Sequence, residues 1–256
     1  MSKRRGILAI VPAIALLPVC PTQGFAQDTK SVVSYSGFEA VDSALFYYSG
    51  AILAFNQDIS RPGFLINGFV GIGDYDYSTT GVPGGKVDGD ATWLRGMLGY
   101  QTFAWDMRLA AYAGVDWQNN ELHPKDTSNP VAGGETGFII DAEMETLKPS
   151  DIYFGLIGQY STANEWYWSR LRTGYGFGRV IIGPEGILFG NVGFDAQRAG
   201  AFLDVPVKLG RDLVFDVTFS GGYQWIGGIG SGGQDGANVG GDSDSGYGNI
   251  SFYTVF

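Results

Sequence analysis

The chain has 256 residues, with 26 Asp and Glu against 16 Lys and Arg, a formal charge of −10. That balance argues against nucleic acid as a partner. A single histidine and a single cysteine leave little material for a metal centre or a disulfide framework, and no cofactor is expected. Glycine accounts for 41 residues, roughly twice its average share of about 7%. Aromatics reach 14%, yet after the N-terminus no apolar run approaches the ~18 residues of a membrane helix. Glycine and aromatics without helical runs point to β structure.

In chain order, residues 1–26 carry Lys3, Arg4 and Arg5, then ILAIVPAIALLPV, then Gly24-Phe25-Ala26. This is the pattern of a cleaved secretory signal peptide, and it holds the chain's only cysteine. A lipoprotein processed at Cys20 is disfavoured by bulky Val19 before it and Pro21 after it. Residues 27–256 then form a single domain with no internal repeat.

Period-2 patterning bounded by turn residues predicts strands over 32–41, 43–55, 63–77, 91–103, 107–119, 135–147, 151–162, 166–177, 180–190, 196–206, 213–226 and 247–256. The clearest is LVFDVTFSGGYQW, with Leu213, Phe215, Val217, Phe219, Tyr223 and Trp225 on one face. Asp216, Thr218, Ser220 and Gln224 take the other. In MRLAAYAGVDWQ the same rule sets Leu109, Ala111, Ala113, Val115 and Trp117 against Arg108, Tyr112, Asp116 and Gln118.

The long polar loops follow the third, fifth and eleventh segments: STTGVPGGKVDGD, NNELHPKDTSNPVAGG and GGIGSGGQDGANVGGDSDSG. Compact links at Ala104-Trp105-Asp106, Lys148-Pro149-Ser150 and Lys208-Leu209-Gly210-Arg211 fall between them. Long loops therefore gather at one end of the sheet, which a soluble β-sandwich does not need and an outer-membrane barrel does. Trp93, Trp117, Trp166, Trp168, Trp225, Tyr75 and Tyr77 lie near that end, and Trp105 near the other. Those positions are expected to form the aromatic girdles of a membrane barrel. The C-terminal NISFYTVF places Ile250, Phe252 and Phe256 on one face, interrupted at Thr254. It resembles the signal read by the outer-membrane insertion machinery, and pairing it with the first strand would remove both sheet edges. The predicted fold is an antiparallel up-and-down transmembrane β-barrel of about twelve strands.

In GETGFIIDAEMETL, residues 134–147, Asp141, Glu143 and Glu145 alternate with Ile140, Ala142 and Met144. As a helix the segment has no single apolar stripe. As a barrel strand it sends Phe138, Ile140, Ala142 and Met144 to lipid and the three acids to the lumen, because an ionised group on the lipid face is costly. The same parity turns Arg95, Arg108, Asp116, Arg170, Arg172, Glu185, Arg198 and Asp204 inward. Two roles are open to this mixed field. Three acids on the sixth segment and two arginines on the eighth, separated by Gln159, are expected to interlock as braces. The alternative is a polar path that binds or passes a sugar. The brace is favoured, since polar barrel interiors occur in any case; mixed signs do not suit an anion pore.

Catalysis is not expected. The lone His123 sits in a loop beside Pro124, with no adjacent Ser–His pairing on a strand. Asp242-Ser243-Asp244 lacks the spaced ligand set and closing Glu of a calcium loop.

At DTSNPVAGGETGFIIDAEME, YWSRLRTGYGF, IIGPEGILFG and FDAQRAGAFLD the chain resembles the cellulose biosynthesis protein BcsS family. The matching positions are Asp126, Asn129, Pro130, Val131, Gly133, Gly137 and Glu143, then Trp168, Arg170, Arg172 and Gly174. Gly183, Pro184 and Glu185 follow, then Arg198, Ala199 and Gly200. The resemblance implies an exported envelope protein of Gram-negative bacteria, associated with cellulose or a related exopolysaccharide. Outer-membrane lipid, a glycan and the cellulose-synthesis apparatus are the partners so implied. A narrow oligosaccharide pore and a soluble periplasmic β-protein are the alternatives.

Overall fold

A computed structural model describes residues 30–147, 151–209, 213–227 and 244–256. The segment expected to be a signal peptide, the Lys148-Pro149-Ser150 link and most of the Gly/Asp/Ser loop, including Asp242 and Ser243, lie outside the described residues. Alternation of apolar and polar side chains gives twelve strands. They are β1 (Val32–Val41), β2 (Ala44–Ala54), β3 (Gly63–Ser78), β4 (Lys86–Ala104), β5 (Met107–His123) and β6 (Gly133–Thr146). After these come β7 (Ile152–Ser161), β8 (Tyr167–Phe177), β9 (Val180–Asn191), β10 (Phe194–Leu209), β11 (Leu213–Ile226) and β12 (Ser245–Val255). Each pairs antiparallel with its sequence neighbours, and β1 pairs with β12 from Val33↔Val255 to Val41↔Tyr247. The sheet is a closed barrel, so no edge is left with free backbone groups. Closure replaces the soluble-sandwich alternative.

The wall sorts as the parity rule demands. On β6, Phe138 and Ile140 are 76% and 60% exposed, whereas Ile139 and Asp141 are 1% and 3%. Exposed apolar side chains continue round the outside through Leu94, Leu98, Leu171, Leu188 and Phe219. At the short-turn end an aromatic band comprises Phe64 against Tyr100, Tyr175 against Phe177, and Trp105. Thr254, the departure in the last strand, donates its hydroxyl to the Val214 carbonyl at 3.0 Å.

Two expectations need correction. First, β4 begins at Lys86 rather than 91, and β5 runs on to His123. Residues assigned to polar loops extend the β3–β4–β5 wall, where Ser78 pairs with Lys86 and Asp88 with His123. β3, β4 and β5 have 16, 19 and 17 residues, more than the 9–11 that cross a bilayer. Their surplus bears Asp74, Asp76, Asp88, Asp90 and Glu121 on the outer face, with Lys86 bound to Asp76 at 3.0 Å. Carboxylates on the outer face place this rim in water.

Second, most of the long-loop aromatics do not form a girdle. Tyr75 and Tyr77 are 3% and 0% exposed and point inward. Trp93 packs on Phe46, Trp166 on Arg95, and Trp168 on Arg170. Only Trp117 and Trp225 of that tryptophan set are exposed. Position along the strand alone suggested a girdle; the odd or even parity of each residue decides which way its ring turns.

Glycine explains how an interior so rich in rings fits. Inward glycines stand beside inward tyrosines on the next strand, and the ring lies flat in the space a Cβ would occupy. A Cβ at Gly37 would meet the Tyr48 hydroxyl at 2.5 Å, and one at Gly99 would run into Tyr112. Alternating small and large residues is how narrow barrels fill.

Candidate functional site

All eleven charged residues assigned to the lumen stand on inward positions, and most are held by named partners. Arg95 donates from Nε to Asp116 Oδ1 at 3.0 Å and from Nη1 to Gln159 Oε1 at 3.3 Å. Its guanidinium lies 4.0 Å from the Trp166 ring and 4.9 Å from Phe69. Asp116 Oδ2 accepts from Gln118 Nε2 at 2.7 Å, and Asn164 Nδ2 donates to Gln118 Oε1 at 3.0 Å. Asn164 belongs to a short 3₁₀ turn, Ala163–Glu165, with a left-handed φ of 55°. Asn is among the few residues that accept that region readily, and the turn drops its side chain into the barrel mouth. Gln159 continues the chain, donating from Nε2 to Asp141 Oδ2 at 2.6 Å.

Near the short-turn end, Arg108 reaches Glu143 Oε2 at 2.6 Å, Gln101 Oε1 at 2.9 Å and the Tyr112 hydroxyl at 2.9 Å. Gln101 in turn donates to the carbonyls of Ile59 and Arg61 at 2.7 and 2.8 Å. The β2–β3 link is thereby tied beneath the lumen. Across the barrel, Arg172 Nε binds Glu185 Oε2, and Tyr247 donates to Glu185 Oε1 at 3.1 Å. Arg198 bonds Gln224 Oε1 at 2.9 Å and Glu39 Oε1 at 2.7 Å. That last ion pair links β10 to β1 over the intervening β11 and β12.

The expected interlock of β6 acids with β8 arginines does not form. Glu143 goes to Arg108, Glu145 accepts from the Tyr153 hydroxyl at 2.9 Å, and Asp141 takes Gln159. Arg172 pairs one strand away with Glu185, its direct register partner. Charges this buried close on the nearest opposite charge, because separation in a low dielectric is expensive. Arg170 makes neither ion pair nor hydrogen bond among the described residues; its guanidinium sits 5.4 Å from the Trp168 ring.

Sequence reasoning passed over the inward tyrosines as a set, Tyr35, Tyr48, Tyr153 and Tyr253 among them. They share parity with the arginines, and an inward glycine on a neighbouring strand was the available signal. It also left the β5–β6 loop as plain linker. Asp126, 1% exposed, accepts from the Tyr77 hydroxyl at 2.9 Å and from the Ser128 hydroxyl and amide at 2.6 and 2.9 Å. Asn129 Nδ2 donates to the Tyr77 hydroxyl at 2.9 Å, and Asn120 Nδ2 donates to the Val131 carbonyl at 3.1 Å. Burial pushes the Asp126 carboxyl up, but the Ser128, Tyr77 and Asn129 donors outweigh it and leave it below the usual range. His123, at the outer end of β5, faces Asp88 in register. Among the described residues no group of three or more His, Cys, Asp and Glu is arranged to hold a metal ion.

The blocks DTSNPV, WSRLRTG, GPE and RAG therefore supply the loop latch and the Arg170, Arg172, Glu185 and Arg198 surface. A family model described as cellulose biosynthesis protein BcsS matches residues 33–256, nearly the whole described barrel. The chain belongs to that family. The matched span begins within β1 and includes the C-terminal Phe256.

Among solved structures, the TodX deltaS2S3 mutant monoaromatic hydrocarbon channel aligns with a TM-score of 0.50 at 8% identity, over 90% of this chain and 91% of that one. The beta domain of the Bordetella autotransporter BrkA aligns with a TM-score of 0.41 at 13% identity, over 90% of this chain and all (100%) of that one. At 8% identity the likeness to the TodX structure is one of fold alone: an outer-membrane-type barrel. No curated protein matches the chain.

Proposed function

We propose that this chain is an outer-membrane accessory of cellulose or related exopolysaccharide production, holding or organising the glycan at its exit rather than conducting it through an open pore. The family match over residues 33–256 carries the association with cellulose. The apolar outer wall supports residence in the outer membrane of a Gram-negative cell, reached by the signal peptide and the insertion machinery. The accessory role is supported by the interior, where Asp116, Gln101, Gln224 and Tyr77 are all fully enclosed at 0% exposure. Side chains locked into ion pairs brace a wall and leave little free path. The protein acts without catalysis in this account: His123 lies on the outer rim, away from the lumenal carboxylates.

Deletion of the gene in its host, with surface cellulose measured by cellulase-released glucose, is the direct test. A several-fold fall, restored by the plasmid-borne gene, is expected. Unchanged cellulose in the deletion strain under conditions where the wild type makes it would reject the role.

A further inference from the structure

Five strand-borne arginines face the interior, and four of them close on a carboxylate: Arg95 on Asp116, Arg108 on Glu143, Arg172 on Glu185, and Arg198 on Glu39. Arg170 is the exception. Its planar fork of donors is left open beside the Trp168 ring.

The same inner surface holds acceptors that lack donors. Asp141, Gln159 and Trp168 stand in one register row across β6, β7 and β8, and Arg170 follows two residues along on the same face. Asp141 is 3% exposed; its Oδ2 is taken by Gln159, and its Oδ1 is buried with no partner among the described residues. On the facing wall, Asn249 of β12 also has a buried Oδ1 without a partner. The Tyr48 hydroxyl lies near both the Asn249 side chain and, across the barrel, Arg170. β2 and β8 lie on opposite sides of the closed ring, so these groups converge on the middle of the lumen from two walls.

We propose that this mid-lumen region binds a neutral, hydroxyl-rich ring: one pyranose unit of a saccharide, a ligand class that deepens, and rests on, the glycan-handling role argued above. A buried acceptor left without a donor is destabilising, and sugar hydroxyls supply donors to Asp141 Oδ1 and Asn249 Oδ1 once those side chains turn toward the ring. Arg170 donates to hydroxyl or ring oxygens. The Trp168 face offers an apolar plane to the C–H side of the ring. Charge selects against anions: four arginines are already neutralised, while Asp141, Glu145 and Asp204 have no arginine of their own among the described residues. Arg170 itself repels a cation.

The test uses the full chain, purified and folded in lipid nanodiscs, with folding checked by heat-modifiable gel migration. Cellotetraose, trigalacturonate and inorganic phosphate are titrated calorimetrically. Binding of cellotetraose alone is expected. Arg170→Gln and Trp168→Leu should each weaken it about tenfold or more, as loss of one charge-assisted hydrogen bond or one ring contact implies. Arg179→Gln, in the β8–β9 turn, should leave it unchanged. If Arg170→Gln does not fold, Arg170→Lys keeps the charge, loses the fork, and is expected to weaken binding as well.

The site is overturned if the folded wild type takes no cellotetraose at millimolar concentration, prefers the anions, or binds equally after the Arg170 and Trp168 changes. No binding in the wild type, together with lost cellulose in the deletion strain, would remove this site and leave the envelope role standing. Unchanged cellulose in that strain would remove the role itself.

Discussion

Arg95 shows what an ionised side chain requires to stand inside this wall. It is 5% exposed and its partner Asp116 is fully buried, so neither can recover hydration if the other is lost. Arg95→Met would leave Asp116 as an uncompensated buried charge, a change of about 3–5 kcal/mol. The urea midpoint, followed by gel migration of the folded barrel, should fall accordingly. The double variant Arg95→Met with Asp116→Leu should recover most of that loss, because well-packed apolar pairs replace buried ion pairs at little penalty. A double variant as weak as the single one would show that the two charges do not act as a pair. Parity read from single strands turned both residues inward. Their pairing depends on the β4–β5 register, Arg95↔Asp116, which is not written in either strand alone.

At the scale of elements, the β5–β6 loop is a latch rather than a tether. Its anchor is Asp126, with a folded carboxyl held below the usual range by hydrogen bonds that outweigh burial. For a depressed carboxyl, the stabilisation is complete above the undocked value of about 3.9. It is lost as pH falls through the lower docked value. Protease cleavage within residues 124–132 should therefore stay constant from pH 8 to 5 and rise only below about pH 4. Asp126→Ala should raise it at every pH. A cleavage rate equal in the variant and wild type would mean that Asp126 does not hold the loop. The latch was invisible in sequence because its partner, Tyr77, is 49 residues away, on a strand read as ending at residue 77. Trp93, Trp166 and Trp168 failed as girdle residues for a related reason: depth along a strand is easily counted, whereas the side a ring takes follows from register and from the glycine beside it.

At the scale of the whole molecule, closure of β12 on β1 joins an apolar exterior to an interior knitted by side chains from nearly every strand. In planar bilayers the folded wild type is expected to show no steady open current. A large ohmic conductance would return the oligosaccharide pore to first place. The sequence by itself determined the number of strands, their approximate limits, and the lipid and lumen faces. It could do so because alternation is a local property, enforced residue by residue by the difference between hydrocarbon and water. Only the tertiary structure decided which arginine meets which carboxylate, that Arg170 meets none among the described residues, and that Asp126 reaches Tyr77. Those outcomes depend on the register between strands and on what stands across the lumen, and neither distance exists until the ring has closed.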